Sequence, residues 1–134
     1  MRAALYAIGI LVGGIVIAAM LVDEGDLVTL QSVGAEGRHW ETQLWLVELA
    51  GVPYLRSNSP DEDWLERIRV RPEVEIRRGE ATGHWLATPT ADPDLLEQVN
   101  RAMAAKYGTA DRLLCLAFDR EQMVAVRLSP ASGP

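Results

Sequence analysis

The chain has little with which to build a reactive centre. It holds one cysteine, Cys115, and two histidines, His39 and His84. A lone thiol forms no internal disulfide and no cysteine-rich zinc site. Neither histidine has a second histidine or a cysteine at ligand spacing, so no metal site is expected. Basic residues are also scarce, 13 against 19 acidic in 134 residues. Without Arg2 the balance is 12 against 19, a net charge of −7. So acidic a surface does not neutralise phosphates, which excludes nucleic acid as a partner. No nucleophile elbow, phosphate loop, dinucleotide fingerprint or metalloprotease helix is present. No acid–base pair is assembled either. No catalytic residue is therefore assigned, and any chemistry has to come from a bound cofactor.

Apolar residues are plentiful, at 49% of the chain, and unevenly placed. From Ala3 to Val22 the sequence AALYAIGILVGGIVIAAMLV runs for 20 residues without a charge. As a helix it would extend about 30 Å, the thickness of a bilayer's hydrocarbon core. A secretory signal has a shorter apolar region and a small-x-small cleavage site. The segment at 18–22, AAMLV, offers no such site, so residues 1–22 are expected to be a retained single-span anchor in the lipid bilayer. Arg2 precedes the run; Asp23, Glu24 and Asp26 follow it. The positive-inside rule then places the amino terminus in the cytoplasm and the domain outside, on the periplasmic side. Gly9 and Gly13, with Gly14 beside them, form a G-x-x-x-G face on which a second membrane helix packs closely; glycine is also simply common in membrane helices.

Beyond Leu27 the pattern changes to that of an α+β domain over residues 23–128, with a flexible tail at 129–134. Leu27–Val33 alternates as a half-buried strand, and Thr42–Leu49 is apolar on both faces. Ala50-Gly51 reads as a two-residue hairpin turn into the segment 53–58, PYLRSN. Ser59, Pro60 and Glu62 are spaced as a capping box for a helix carrying Trp64, Leu65 and Ile68, ended by Pro72. The segments 73–77 and 83–88 read as strands. Asp92-Pro93 opens a second helix, with Leu95, Leu96, Val99, Met103 and Tyr107 on its buried face and Gly108 at its end. The segment 110–118 reads as a short helix or a strand, with helix preferred, and 123–128 as the last strand. About six antiparallel strands with two or three helices point to a small barrel.

The stretches VTLQSVGAEGRHWETQLWLVE and YLRSNSPDEDWLERIRVRPEVEIRRGE resemble the pyridoxamine-phosphate-oxidase-like split β-barrel family. The branch they look like is the nitroreductase/quinone-reductase group, whose members use flavin or deazaflavin. Carrying the resemblance are a glycine-bounded loop before T-x-L-W, a Y-x-R-S strand, and a tryptophan helix closing on R-P-x-V-x-I, across residues 28–128. It implies a groove for an isoalloxazine-like ring, often completed by a second subunit in a homodimer, and a quinone-like or nitro acceptor. By that resemblance Arg38, Thr42, Arg56, Ser57 and Trp64 would line the cofactor site. The family's Gly-Arg-Lys-Ser-Gly-Arg loop is here Gly34-Ala35-Glu36-Gly37-Arg38, with a carboxylate in place of cations.

Each candidate has a plain structural alternative. Arg56 reads more readily as one half of a surface ion pair with one of the many acids, and Trp45 and Trp64 as core. Asp61, Glu62, Asp63 and Glu66 suit a helix start. Arg67, Arg69, Arg71, Arg77 and Arg78 suit an exposed face paired with Glu66, Glu73 and Glu75. Two functions follow. One is a membrane-anchored flavin- or deazaflavin-dependent oxidoreductase. The other is a cofactor-free, single-span accessory subunit that stabilises a larger membrane-protein complex. An open cationic slot beside Arg38 and Arg56 would favour the first; a slot plugged by Trp40 or Trp45 would favour the second.

Overall fold

The first strand sets the orientation of the domain. In the computed structural model, which describes residues 27–131, β1 (Leu27–Val33) buries every second residue, Val28, Leu30 and Ser32. It pairs antiparallel with β2 (His39–Trp45), from Leu27 opposite Trp45 to Val33 opposite His39. Leu46 separates β2 from β3 (Val47–Leu49), which turns through Ala50-Gly51 into β4 (Val52–Ser57). Both turn residues have positive φ, 52° and 82°, as a two-residue hairpin turn requires. Next come α1 (Asp63–Val70), β5 (Glu73–Arg78), β6 (Ala81–Pro89), α2 (Pro93–Tyr107), α3 (Thr109–Ala117) and β7 (Val124–Pro130). The expected membrane span, with Gly9, Gly13 and Gly14, lies outside the described residues. Among those described, no helix is long and apolar enough to cross a membrane.

The seven strands are ordered β2-β1-β5-β6-β7-β4-β3, every pair antiparallel. β2 and β3 are nearly one strand in sequence yet occupy opposite ends of that order. The sheet therefore curls, and the Thr42–Leu49 segment, read as one strand, divides at Leu46 where its partner changes from β1 to β4. That division makes seven strands where six were expected. A barrel seam of this kind takes backbone groups out of the ladder. Here Tyr107 from α2 replaces them: its hydroxyl donates to the Leu46 carbonyl at 2.7 Å and accepts from the Leu46 N–H at 3.2 Å. Its ring stacks on Trp45 with centroids 4.5 Å apart.

Two apolar clusters hold the layers together. Inside the curl, α1 inserts Trp64, Leu65 and Ile68 against Leu30, Leu55, Val74, Ile76, Val126 and Leu128. On the other face, α2 and α3 place Val99, Met103, Tyr107 and Ala110 over Val47, Tyr54 and Ala125. β4 lies between both clusters, so Tyr54, Leu55, Arg56 and Ser57 are all buried. Burial of one such leucine stabilises the fold by about 2 kcal/mol. A charge at Arg56 demands a partner, and it has two. Nη2 meets Asp111 Oδ1 of α3 at 2.6 Å, and Nη1 donates to Asn100 Oδ1 of α2 at 2.9 Å.

The ends of the helices follow the sequence in one case and depart from it in the other. Asp92 caps α2 by accepting from the Asp94 N–H, Pro93 is its first residue, and Gly108 follows it with φ 53°. α1, by contrast, starts at Asp63, three residues after the expected Pro60, and Ser59 does not cap it. The carboxylate of Glu62 instead accepts from the Asn58 N–H and from Trp64 Nε1, which pulls the 59–62 segment into a turn. The final strand reaches Pro130, with Ser129 opposite Leu86 and Pro130 opposite Trp85, two residues beyond the boundary drawn at 128.

Two substitutions test this framework. Tyr107→Phe leaves the Leu46 N–H without its acceptor and should lower unfolding free energy by about 1–3 kcal/mol in urea titration. Asp111→Ala strands the Arg56 guanidinium and should cost about 3–5 kcal/mol in the same assay.

Candidate functional site

An open groove runs along the mouth of the barrel between β2 and the segment leading into α1. Its walls are Glu41, Thr42, Gln43 and Leu44 on one side and Asn58, Asp61, Glu62, Asp63, Trp64 and Arg67 on the other, around about 560 Å³. Strand β2 exposes this stretch because it stands at the end of the strand order, with β1 as its one long partner. Trp64 forms the floor: only 4% of it is exposed and its indole N–H is held by Glu62 at 2.9 Å. Gln43 Oε1 is buried in the groove wall without a hydrogen-bond partner.

The five residues singled out by resemblance do not converge. Thr42 and Trp64 line the groove. Arg38 sits at the β1–β2 tip, its guanidinium 5.0 Å from the centre of the Trp40 ring. Arg67 approaches the same ring at 4.6 Å and donates through Nε to Ser32 Oγ at 3.2 Å. Gly34 makes this tip passable, since a Cβ there would meet Trp40 Nε1 at 2.9 Å. Arg56 and Ser57 are absent from the groove. The side chain of Arg56 is 2% exposed in its pair with Asp111. Ser57 is fully buried and donates to the Ser59 carbonyl at 2.7 Å.

The slot is thus neither cationic nor plugged. Trp40 folds over the tip and Trp45 against Tyr107, leaving the groove open. Its charge is anionic, with Glu41, Asp61, Glu62 and Asp63 facing a single cation, Arg67. A phosphate needs guanidinium or backbone donors in a cradle. Each carboxylate 6 Å from a phosphate charge opposes it by roughly 3 kcal/mol at an effective dielectric near 20, before salt screening. These residues do not fit the phosphate of a flavin or deazaflavin.

Other features carry less chemistry. A second hollow of about 350 Å³ brings both histidines together with Glu73 and Glu75, a meeting invisible in a sequence that separates them by 45 positions. Among the described residues, no three of His, Cys, Asp and Glu are placed to hold a metal ion. The Cys115 thiol is half-buried and donates to Asp111 Oδ2 at 3.9 Å. Burial first, and then the charge of Asp111, raise its pKa, which makes it a poor nucleophile. The arginine stretch is partly as read, with Arg69 on Glu66 at 3.0 Å. Arg77 and Arg78 instead reach Glu41 and Glu48.

No family model matches the chain, and no curated protein matches it. Solved structures do. A Listeria innocua protein described as a candidate pyridoxamine 5'-phosphate oxidase superposes with a TM-score of 0.61 at 13% identity, over 87% of this chain and 94% of its own. A structure of an F420-H2 dependent reductase gives 0.60 at 17%, over 76% and 93%. A third chain, a domain-swapped dimer, gives 0.55 at 16%, over 78% and 80%. At these identities the likeness concerns the fold, and that fold is the split β-barrel of the pyridoxamine-phosphate-oxidase-like type, which the sequence resemblance implied.

Proposed function

We propose that this chain is a membrane-tethered split-barrel module that docks into a larger membrane-protein assembly and does not carry a phosphate-bearing flavin or deazaflavin. One observation carries this: Arg56, one of the two arginines that the resemblance places at the cofactor site, is closed into a buried pair with Asp111 and Asn100. The groove it leaves behind is rimmed by four carboxylates. Supporting the tether is the charge-free run 3–22, long enough to cross a bilayer. Arg2 before it and three acids after it support a cytoplasmic amino terminus and an extracytoplasmic domain. The G-x-x-x-G spacing of Gly9 and Gly13, with Gly14 beside them, is a sequence pattern that suits a partner helix in lipid, whether from a second copy or from another subunit.

A second function is favoured by one feature, the open groove itself. Gln43 Oε1 lacks a donor there, and Thr42 and Trp64 flank it. A planar ring with an N–H edge and no phosphate meets those demands. In that case the chain is an oxidoreductase of the nitroreductase/quinone-reductase type, and hydride transfer to a quinone-like or nitro acceptor belongs to the ring's chemistry.

Fluorescence titration of the full chain in mild detergent separates the two. The docking function predicts no visible chromophore on purification and no saturable quenching of FMN or a phosphorylated deazaflavin at micromolar concentrations. Native gels should show the chain within a discrete complex. Saturable quenching by FMN overturns the proposal; quenching by riboflavin alone selects the second function.

A further inference from the structure

The sheet has two ends, and one of them is open. At one end β3 is three residues long, and α2 packs on its Val47. At the other end stands β2, seven residues long, with β1 as its one partner. At the tip of that hairpin the Gly34 N–H donates to the Arg38 carbonyl at 2.7 Å. Bonded pairs recur at every second residue of an antiparallel ladder, so Trp40, Thr42 and Leu44 bond back to Ser32, Leu30 and Val28. Glu41 and Gln43 then turn their main-chain N–H and C=O groups away from β1, along the groove wall. Among the described residues nothing bonds those groups.

An open edge is a template for another strand, and proteins that keep one guard it with charge. Here Glu41, Asp61, Glu62 and Asp63 stand along both walls, against Arg67 alone. Arg67 is itself turned to Ser32 and to the Trp40 ring. A second copy would bring the same acids beside its own β2, in a chain of net charge −6, and the walls would repel it. An extended segment with lysine or arginine at alternate positions meets the opposite field. Its main chain supplies partners for Glu41 and Gln43, and its cations face the carboxylates. The Gln43 Oε1 atom, buried without a donor, is a further acceptor for such a segment.

We propose that the groove is a strand-addition site, in which an extended basic segment of another subunit pairs with β2 along residues 41–44. It rests on the docking function above and deepens it, because it names the contact surface and the charge of what that surface takes. The acids then do two things at once: they bar pairing between copies through this edge and select a cationic strand.

Hydrogen exchange by NMR on the full chain in nonionic detergent tests it, with an acetylated, amidated octapeptide of alternating lysine and threonine as probe. Without peptide, the Glu41 and Gln43 amides should exchange fast and those of Thr42 and Leu44 slowly. With free peptide at about ten times its Kd, the first two should slow by about tenfold. N-methylation of alternate residues blocks one edge of the peptide and keeps its charge. Methylating one of the two alternate sets should weaken binding by at least about tenfold. Gln43→Pro, a change that an edge strand tolerates, should do the same. Binding that leaves the Glu41 and Gln43 amides unprotected, or that ignores methylation of either set, is charge attraction alone and overturns the proposal. Absence of saturable binding below millimolar peptide overturns it too. If native gels still show the complex after either result, the docking function stands without this edge; if they show no complex, both fall.

Discussion

A buried guanidinium governs this molecule. Arg56 lies on a strand enclosed by apolar clusters on both faces, where an unpaired charge is intolerable. Asp111 supplies the countercharge from α3 and Asn100 the second acceptor from α2. Satisfying one charge thus anchors two helices to β4. Such a pair adds little net stability compared with apolar packing, yet losing either member is costly, so it fixes the arrangement more than it strengthens it. The same geometry removes a cation from the groove. Structure and function meet at that residue.

Closure of the barrel imposes the second constraint. A strand that serves both ends of a sheet has to change partners, and Leu46 is where it does so. Tyr107 meets the displaced backbone groups, while Lys106 Nζ adds a donor to the Leu46 carbonyl at 2.9 Å. The part of β2 before this break is left with β1 as its long partner. Its free side forms the groove wall, which explains why Thr42 and Gln43 line the groove and why Glu41 joins the acids of the α1 approach.

Local features of the fold were legible in the sequence. Alternation marked β1, Ala50-Gly51 marked a hairpin, and Asp92-Pro93 with Gly108 bracketed α2, because each depends on near neighbours. The divided strand was not, since it follows from closure of the sheet, and the groups it frees are met by a tyrosine 61 residues away. The start of α1 was misplaced because Glu62 bonds an indole and a preceding amide rather than completing a box with Ser59. Arg56 could be read as an ion pair, but neither its burial nor its partner 55 residues on was visible. Of the groove, Thr42 and Trp64 were found by resemblance. The acids at 61–63 were read as helix-start charges, and only the fold sets Glu41 opposite them.

The split barrel accepts different occupants, so the fold does not decide the chemistry. Side-chain chemistry does, and here it opposes an anionic cofactor. The most direct measurement is arginine side-chain NMR on the full chain, following the Arg56 guanidinium with and without FMN. Slow exchange of its Nη protons and unchanged shifts on adding FMN are the expected result. Rapid exchange, or a shift that saturates with FMN, would show Arg56 available to a phosphate and contradict the account.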